Sequence, residues 1–87
     1  MILRVRLFGY LAESHRKDPL EEFEFIVLEN STVENLLNML GIPHEEVILV
    51  INPGEKERVL IAADRLANEL FLRPNDRIWI YPFLDGG

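Results

Sequence analysis

The chain has 87 residues, 48% of them hydrophobic and 28% charged, a balance that supports one packed domain and is too short for two. It contains no cysteine, which excludes disulfides, iron–sulfur ligation, thiolate zinc sites and cysteine nucleophiles. Its formal net charge of −6 opposes contact with phosphate backbones, so no nucleic-acid partner is expected; the same charge favours docking to a basic protein surface.

Met1 to Phe8 alternates, with Leu3, Val5 and Leu7 on one face and Arg4, Arg6 and Phe8 on the other. Period two predicts a strand with one buried face. This opening lacks the basic-then-apolar layout of a signal peptide. No apolar run, Val47–Ile51 included, comes near the roughly 20 residues of a membrane helix. A cytoplasmic protein without a membrane partner is therefore expected. Residues 13–22 are charged and contain Pro19, so they read as a loop. Phe23, Phe25 and Val27 alternate with Glu24 and Ile26, a second strand that would pair with the first as a wide hairpin.

A helix follows. Ser31 with Glu34 three residues on forms a capping-box pattern, and Val33, Leu36, Leu37 and Leu40 make one apolar stripe. Gly41 suits the left-handed position after a helix, and Pro43 prevents continuation. Val47–Ile51 is rich in branched residues and reads as a buried strand, and Asn52-Pro53-Gly54 as a turn. Arg58 to Ile61 is a short strand candidate. Residues 62–72 are ambiguous, with a helical turn at Ala62-Ala63-Asp64 and with Leu70 and Leu72 as core candidates. Pro74-Asn75-Asp76 is another turn. Arg77 to Tyr81 alternates again, with Ile78 and Ile80 on one face and Trp79 and Tyr81 on the other, until Pro82 removes a ladder donor. His15 and His44 fall in expected loops, without companions at ligand spacing, and read as surface residues.

The order β-β-α-β-(β)-β places one main helix on one face of a mixed four- to five-stranded sheet, with the first and last strands adjacent at its centre. This is an α+β, β-grasp (ubiquitin-like) expectation for residues 1–82, with 83–87 as a flexible tail. Two terminal glycines arise by chance in about one chain in 200 at a glycine frequency of roughly 7%. Gly86 and Gly87 have no Cβ and can thread a channel too narrow for other residues. Residues 83–87 span at most about 17 Å at ~3.4 Å per residue, enough to carry the Gly87 carboxylate into a partner's active site. The outward faces of the first and last strands hold Phe8, Trp79 and Tyr81 beside Arg4 and Arg6, a candidate partner-binding patch with a basic rim, and Phe83 and Leu84 are candidate tail anchors.

The opening strand, the run Ser31-Thr32-Val33-Glu34-Asn35-Leu36-Leu37, the Leu72 to Ile78 segment, and Tyr81-Pro82 before Gly86-Gly87 together resemble the MoaD/ThiS sulfur-carrier family of ubiquitin-like proteins. The resemblance covers nearly the whole chain, and its last sixteen residues are the specific part. Two positions depart from the family pattern: Asn75-Asp76 stands where Gly-Asp is usual, and Asn52-Pro53-Gly54 where an Asn-Gly turn is usual. Asn tolerates positive φ best among non-glycine residues, so the Asn75 turn is expected to persist.

The resemblance implies a non-enzymatic carrier that binds no cofactor. ATP would be used by an E1-like adenylating partner, which activates the Gly87 carboxylate with Gly86 threading beside it. A sulfur donor of cysteine desulfurase or rhodanese type would then convert it to a thiocarboxylate. Length and the Glu13–Glu22 loop favour the small subunit of molybdopterin synthase, whose large subunit would be the further partner. A carrier for tRNA or thiamine thiolation, a protein modifier, and a ubiquitin-like interaction domain that is never activated remain as alternatives.

Overall fold

The computed structural model describes residues 1–83. Five strands form one sheet: β1 (Ile2–Leu7), β2 (Phe23–Ile26), β3 (Val47–Ile51), β4 (Arg58–Ile61) and β5 (Arg77–Pro82), in the order β2-β1-β5-β3-β4. β1 and β5 run parallel at the centre, and the other pairings are antiparallel. Three helices accompany it: α1 (Tyr10–Ser14), α2 (Val33–Leu40) and α3 (Arg65–Asn68), with a 3-10 turn at His44–Glu46. This is the β-grasp arrangement expected from element order, including the wide hairpin of the first two strands and the central pairing of first with last. No helix among the described residues is long and apolar enough to cross a membrane.

The core forms where the sheet meets the helices. Leu3, Val5 and Leu7 of β1, Leu49 of β3, and Ile78 and Ile80 of β5 are completely buried, as are Val33, Leu36 and Leu37 of α2. The alternation read from the strands and the stripe read from the helix thus meet each other. Leu72 is also buried, and Leu70 packs against the core.

Four local readings are corrected. The cap of α2 is Thr32, not Ser31: Thr32 Oγ1 accepts from the Asn35 N–H at 3.2 Å, and Asn35 Oδ1 accepts from the Thr32 N–H at 2.9 Å. Ser31 is drawn away because its backbone carbonyl accepts from Leu72 N–H and its hydroxyl donates to Leu28 O. Residues 13–22 are not wholly loop, since α1 reaches Ser14, with Leu11 and Ala12 buried against the sheet. Ala62–Asp64 is not a helical turn but the approach to one: Asp64 Oδ1 accepts from Leu66 N–H and caps α3. His15 is half-buried and bridges two helices, its Nε2 2.7 Å from Leu40 O and its Nδ1 2.9 Å from Leu11 O.

The turn read at Asn75 holds, with φ 68°, as a residue tolerant of the left-handed region allows. Asp76 and Asn52 then lock two turns together. Asn52 Nδ2 donates to Asp76 Oδ1 at 3.1 Å, and Arg77 N–H donates to Asn52 Oδ1 at 2.9 Å. These bonds set where β5 begins and hence the register that carries Trp79 and Tyr81 to their face.

Candidate functional site

All three helices lie on one side of the sheet, so the other side is open except where a loop crosses it. The register puts Arg6 beside Trp79, Trp79 beside Val50, and Tyr81 beside Ile48 on that open side. Phe8 stacks on Tyr81 with ring centroids 4.1 Å apart and 6° between planes, and meets Trp79 at 5.6 Å. The Arg6 guanidinium lies 4.2 Å from the Phe8 centroid and 4.6 Å from that of Trp79. Phe8, Trp79 and Tyr81 are each half-buried. The structure therefore brings the three aromatics together with Arg6 and leaves each of them partly in solvent, while Arg4 lies farther along β1 beside Arg77.

The patch is wider than the sequence reading. Ile48 and Val50 are half-buried, and Val59 and Ile61 are exposed, all on the same open side. Val47–Ile51 was expected to be a buried strand; only Val47, Leu49 and Ile51 are buried. The signal was present in the chain: one main helix covers one face, so a continuous apolar run on a central strand must turn alternate residues to the uncovered face.

The segment that approaches this face is the one after α1, through Pro19 and Glu22. Trp79 Nε1–H donates to Glu22 Oε2 at 2.7 Å, Arg77 Nε–H donates to the same oxygen at 2.8 Å, and Arg6 Nε–H donates to Pro19 O at 2.6 Å. Partial burial pushes the Glu22 carboxyl up, but the Trp79 and Arg77 hydrogen bonds and the charges of Arg77 and Arg4 outweigh it and hold the carboxyl below its ordinary value of 4.5. A lowered folded-state pKa stabilises the fold above the unfolded value and ceases to do so as pH falls through the folded one. The acid-induced loss of stability below about pH 4.5 is therefore expected to flatten in Glu22→Gln, as measured by denaturant unfolding across that range.

At one end of the face the chain leaves the sheet. Pro82, the last residue of β5, pairs with Val47, and Phe83 N–H donates to Glu46 O at 2.6 Å. Phe83 is 47% exposed. Tyr10 Oη donates to Glu46 Oε2 at 3.1 Å; partial burial, this bond and the Glu46 charge all push the hydroxyl pKa up, so it remains a donor. Gly9 closes the other side with φ 57° and ψ −141°, a conformation that suits glycine alone. A Cβ on Gly9 would sit 3.1 Å from Pro82 Cγ. Gly9→Ala is expected to cost on the order of 1–3 kcal/mol in denaturant unfolding, through backbone strain and that contact. Sequence reasoning missed Gly9, Tyr10 and Glu46 because their roles depend on β3 and α1 meeting the end of β5. Leu84, Gly86 and Gly87 lie outside the described residues.

These groups gather aromatic faces, guanidinium groups and the chain exit at Phe83 on and beside one side of the sheet. No protein family profile matches the sequence, and no curated protein does. Among solved structures the chain is similar to SAMP1 from Haloferax volcanii, with a TM-score of 0.69 and 17% identity over 100% of both chains. At that identity the likeness is one of fold, and the fold of this chain is the ubiquitin-like β-grasp.

Proposed function

We propose that this chain is a sulfur carrier whose working group is the Gly87 carboxylate. The observation that carries the reading is the continuity of the aromatic open face with the chain exit. Trp79 and Tyr81 lie on β5, and Phe8, just past the end of β1, packs against both; β5 ends at Pro82, and Phe83 continues in sequence toward Gly86-Gly87. A partner seated on the cluster would lie next to the point where the chain leaves the sheet, at Pro82 and Phe83.

In the proposed cycle an E1-like enzyme docks on this face and supplies ATP. A Gly87 carboxylate oxygen attacks the α-phosphorus, pyrophosphate leaves, and an acyl-adenylate forms. The terminal sulfur of a donor persulfide attacks the acyl carbon and AMP departs. A thiol then takes up the donor's remaining sulfur, which leaves a thiocarboxylate on Gly87. This group is a better nucleophile than the carboxylate at neutral pH and delivers its sulfur to the acceptor. The acceptor we propose is a molybdopterin precursor held by the large subunit of molybdopterin synthase. The residues of this chain orient and present; the partners perform the bond-making steps.

A protein modifier would use the same adenylate, with a lysine amine taking the place of the sulfur donor. The two outcomes separate by mass. Incubation with an E1-like enzyme, ATP and a persulfide donor should raise the intact mass by the exchange of one oxygen for sulfur. Conjugates to lysine without that exchange would favour the modifier. Absence of any adenylate, with activating enzymes that dock on the chain, would reject both and leave an interaction domain that is never activated.

A further inference from the structure

We propose that the β4 edge is a self-association surface, on which a second copy of this chain adds its own β4 in antiparallel register about Leu60. The inference is independent of the sulfur-carrier reading. It begins with hydrogen-bond parity. Ala62 N–H donates to Val47 O, and β4 pairs with β3 as Ile48 with Ile61, Leu49 with Leu60 and Val50 with Val59. In an antiparallel ladder hydrogen-bonded and non-bonded pairs alternate. Leu60 therefore turns its backbone groups to β3, while Val59 and Ile61 turn theirs outward.

Ile61 O is shared with the turn, where Asp64 N–H donates to it at 2.9 Å. The N–H and C=O of Val59 and the N–H of Ile61 find no partner among the described residues. Edge strands are usually blunted by a charge or proline at such positions. Here the two outward-bonding residues carry apolar side chains, 62% exposed at Val59 and 50% at Ile61. Beside them Leu66 is 76% exposed on α3. It helps line a groove of about 330 Å³ with Leu60 and Leu70.

Charge identifies the occupant. An antiparallel strand added here would meet Asp64 at its N-terminal end and Lys56 at its C-terminal end. Both flanks are mixed in sign, and in register about Leu60 the segment complements itself: Lys56 falls opposite Asp64 and Glu55 opposite Arg65 of the second copy, while Glu57 and Arg58 fall opposite Ala63 and Ala62. With Leu60 opposite Leu60 of the second copy, Val59 lies opposite Ile61 of the second copy and exchanges hydrogen bonds with it. Lys56 then approaches Asp64 of the second copy, twice over by symmetry. The open faces of the two sheets join, so the apolar strip becomes continuous across the pair. A four-residue ladder is short, so association depends on concentration.

Sedimentation equilibrium of the full chain, with amide hydrogen exchange at rising concentration, tests this. The expected result is a monomer–dimer equilibrium, with the Val59 and Ile61 amides gaining protection as dimer forms. Ile61→Lys, at an exposed position, should abolish association and keep the monomer's thermal transition. Lys56→Glu should weaken association roughly three- to tenfold by setting like charges opposite Asp64. A monomer at every concentration, or a dimer that survives Ile61→Lys, would overturn the proposal. Protection of the same amides only on adding an unrelated extended peptide would overturn it too, and would assign the edge to a peptide partner.

Discussion

Removal of Gly86 and Gly87 is expected to abolish adenylation and thiocarboxylate formation while leaving partner docking intact. The truncated chain would end at Asp85, whose side chain cannot follow two glycines through a passage built for backbone alone. No core residue is touched, since the core is built from residues 3–80. Pyrophosphate exchange and intact mass spectrometry read the activation, and calorimetric titration against the activating enzyme reads the docking. Loss of both together would place the glycines in the docking surface. Retention of activation would remove the Gly87 carboxylate from the cycle altogether.

The second large effect is expected at Trp79. Trp79→Ala should weaken docking to the same partner by about 30-fold or more, the range of an aromatic at the centre of an interface, corresponding to ~2 kcal/mol. The indole meets the tilted Phe8, the Arg6 and Arg77 guanidinium groups and the Glu22 carboxylate. Some stability is lost with them, because Glu22 keeps only Arg77 as a hydrogen-bond partner. Docking is therefore compared with Glu22→Gln, which disturbs the loop and leaves the ring in place. If Glu22→Gln weakens docking as much as Trp79→Ala, the loop rather than the indole is the recognised element. Unchanged docking in Trp79→Ala would remove the aromatic cluster from the interface. The tail deletion and the indole substitution thus affect opposite halves of the scheme, chemistry without docking and docking without chemistry.

Much of this was legible in the amino-acid order alone. Period two at Met1–Phe8 and Arg77–Tyr81 told which residues share a face, and the structure buries Leu3, Val5, Leu7, Ile78 and Ile80 accordingly. The stripe of α2 and the positive φ at Asn75 were likewise local consequences of residue type and spacing, whereas the grouping of Phe8 with Trp79 and Tyr81 followed from the adjacency of first and last strands that the element order implies. Periodicity could not tell which side of a strand would be covered. Val47–Ile51 is apolar at every position, and only the placement of the helices left Ile48 and Val50 on the open side.

Competition between neighbours was equally invisible from spacing. Ser31 and Thr32 both suit a helix cap, and the choice fell to Thr32 once the Ser31 carbonyl was engaged by Leu72, a residue 41 positions away. The same holds for Glu22 against Trp79, for Gly9 against Pro82 and for the outward-facing amides of β4. Residue type and spacing determined the elements and their two faces, because those follow from local geometry. Coverage, capping choice and edge exposure were decided by tertiary structure, because each depends on which distant segment occupies a shared hydrogen-bonding group or surface.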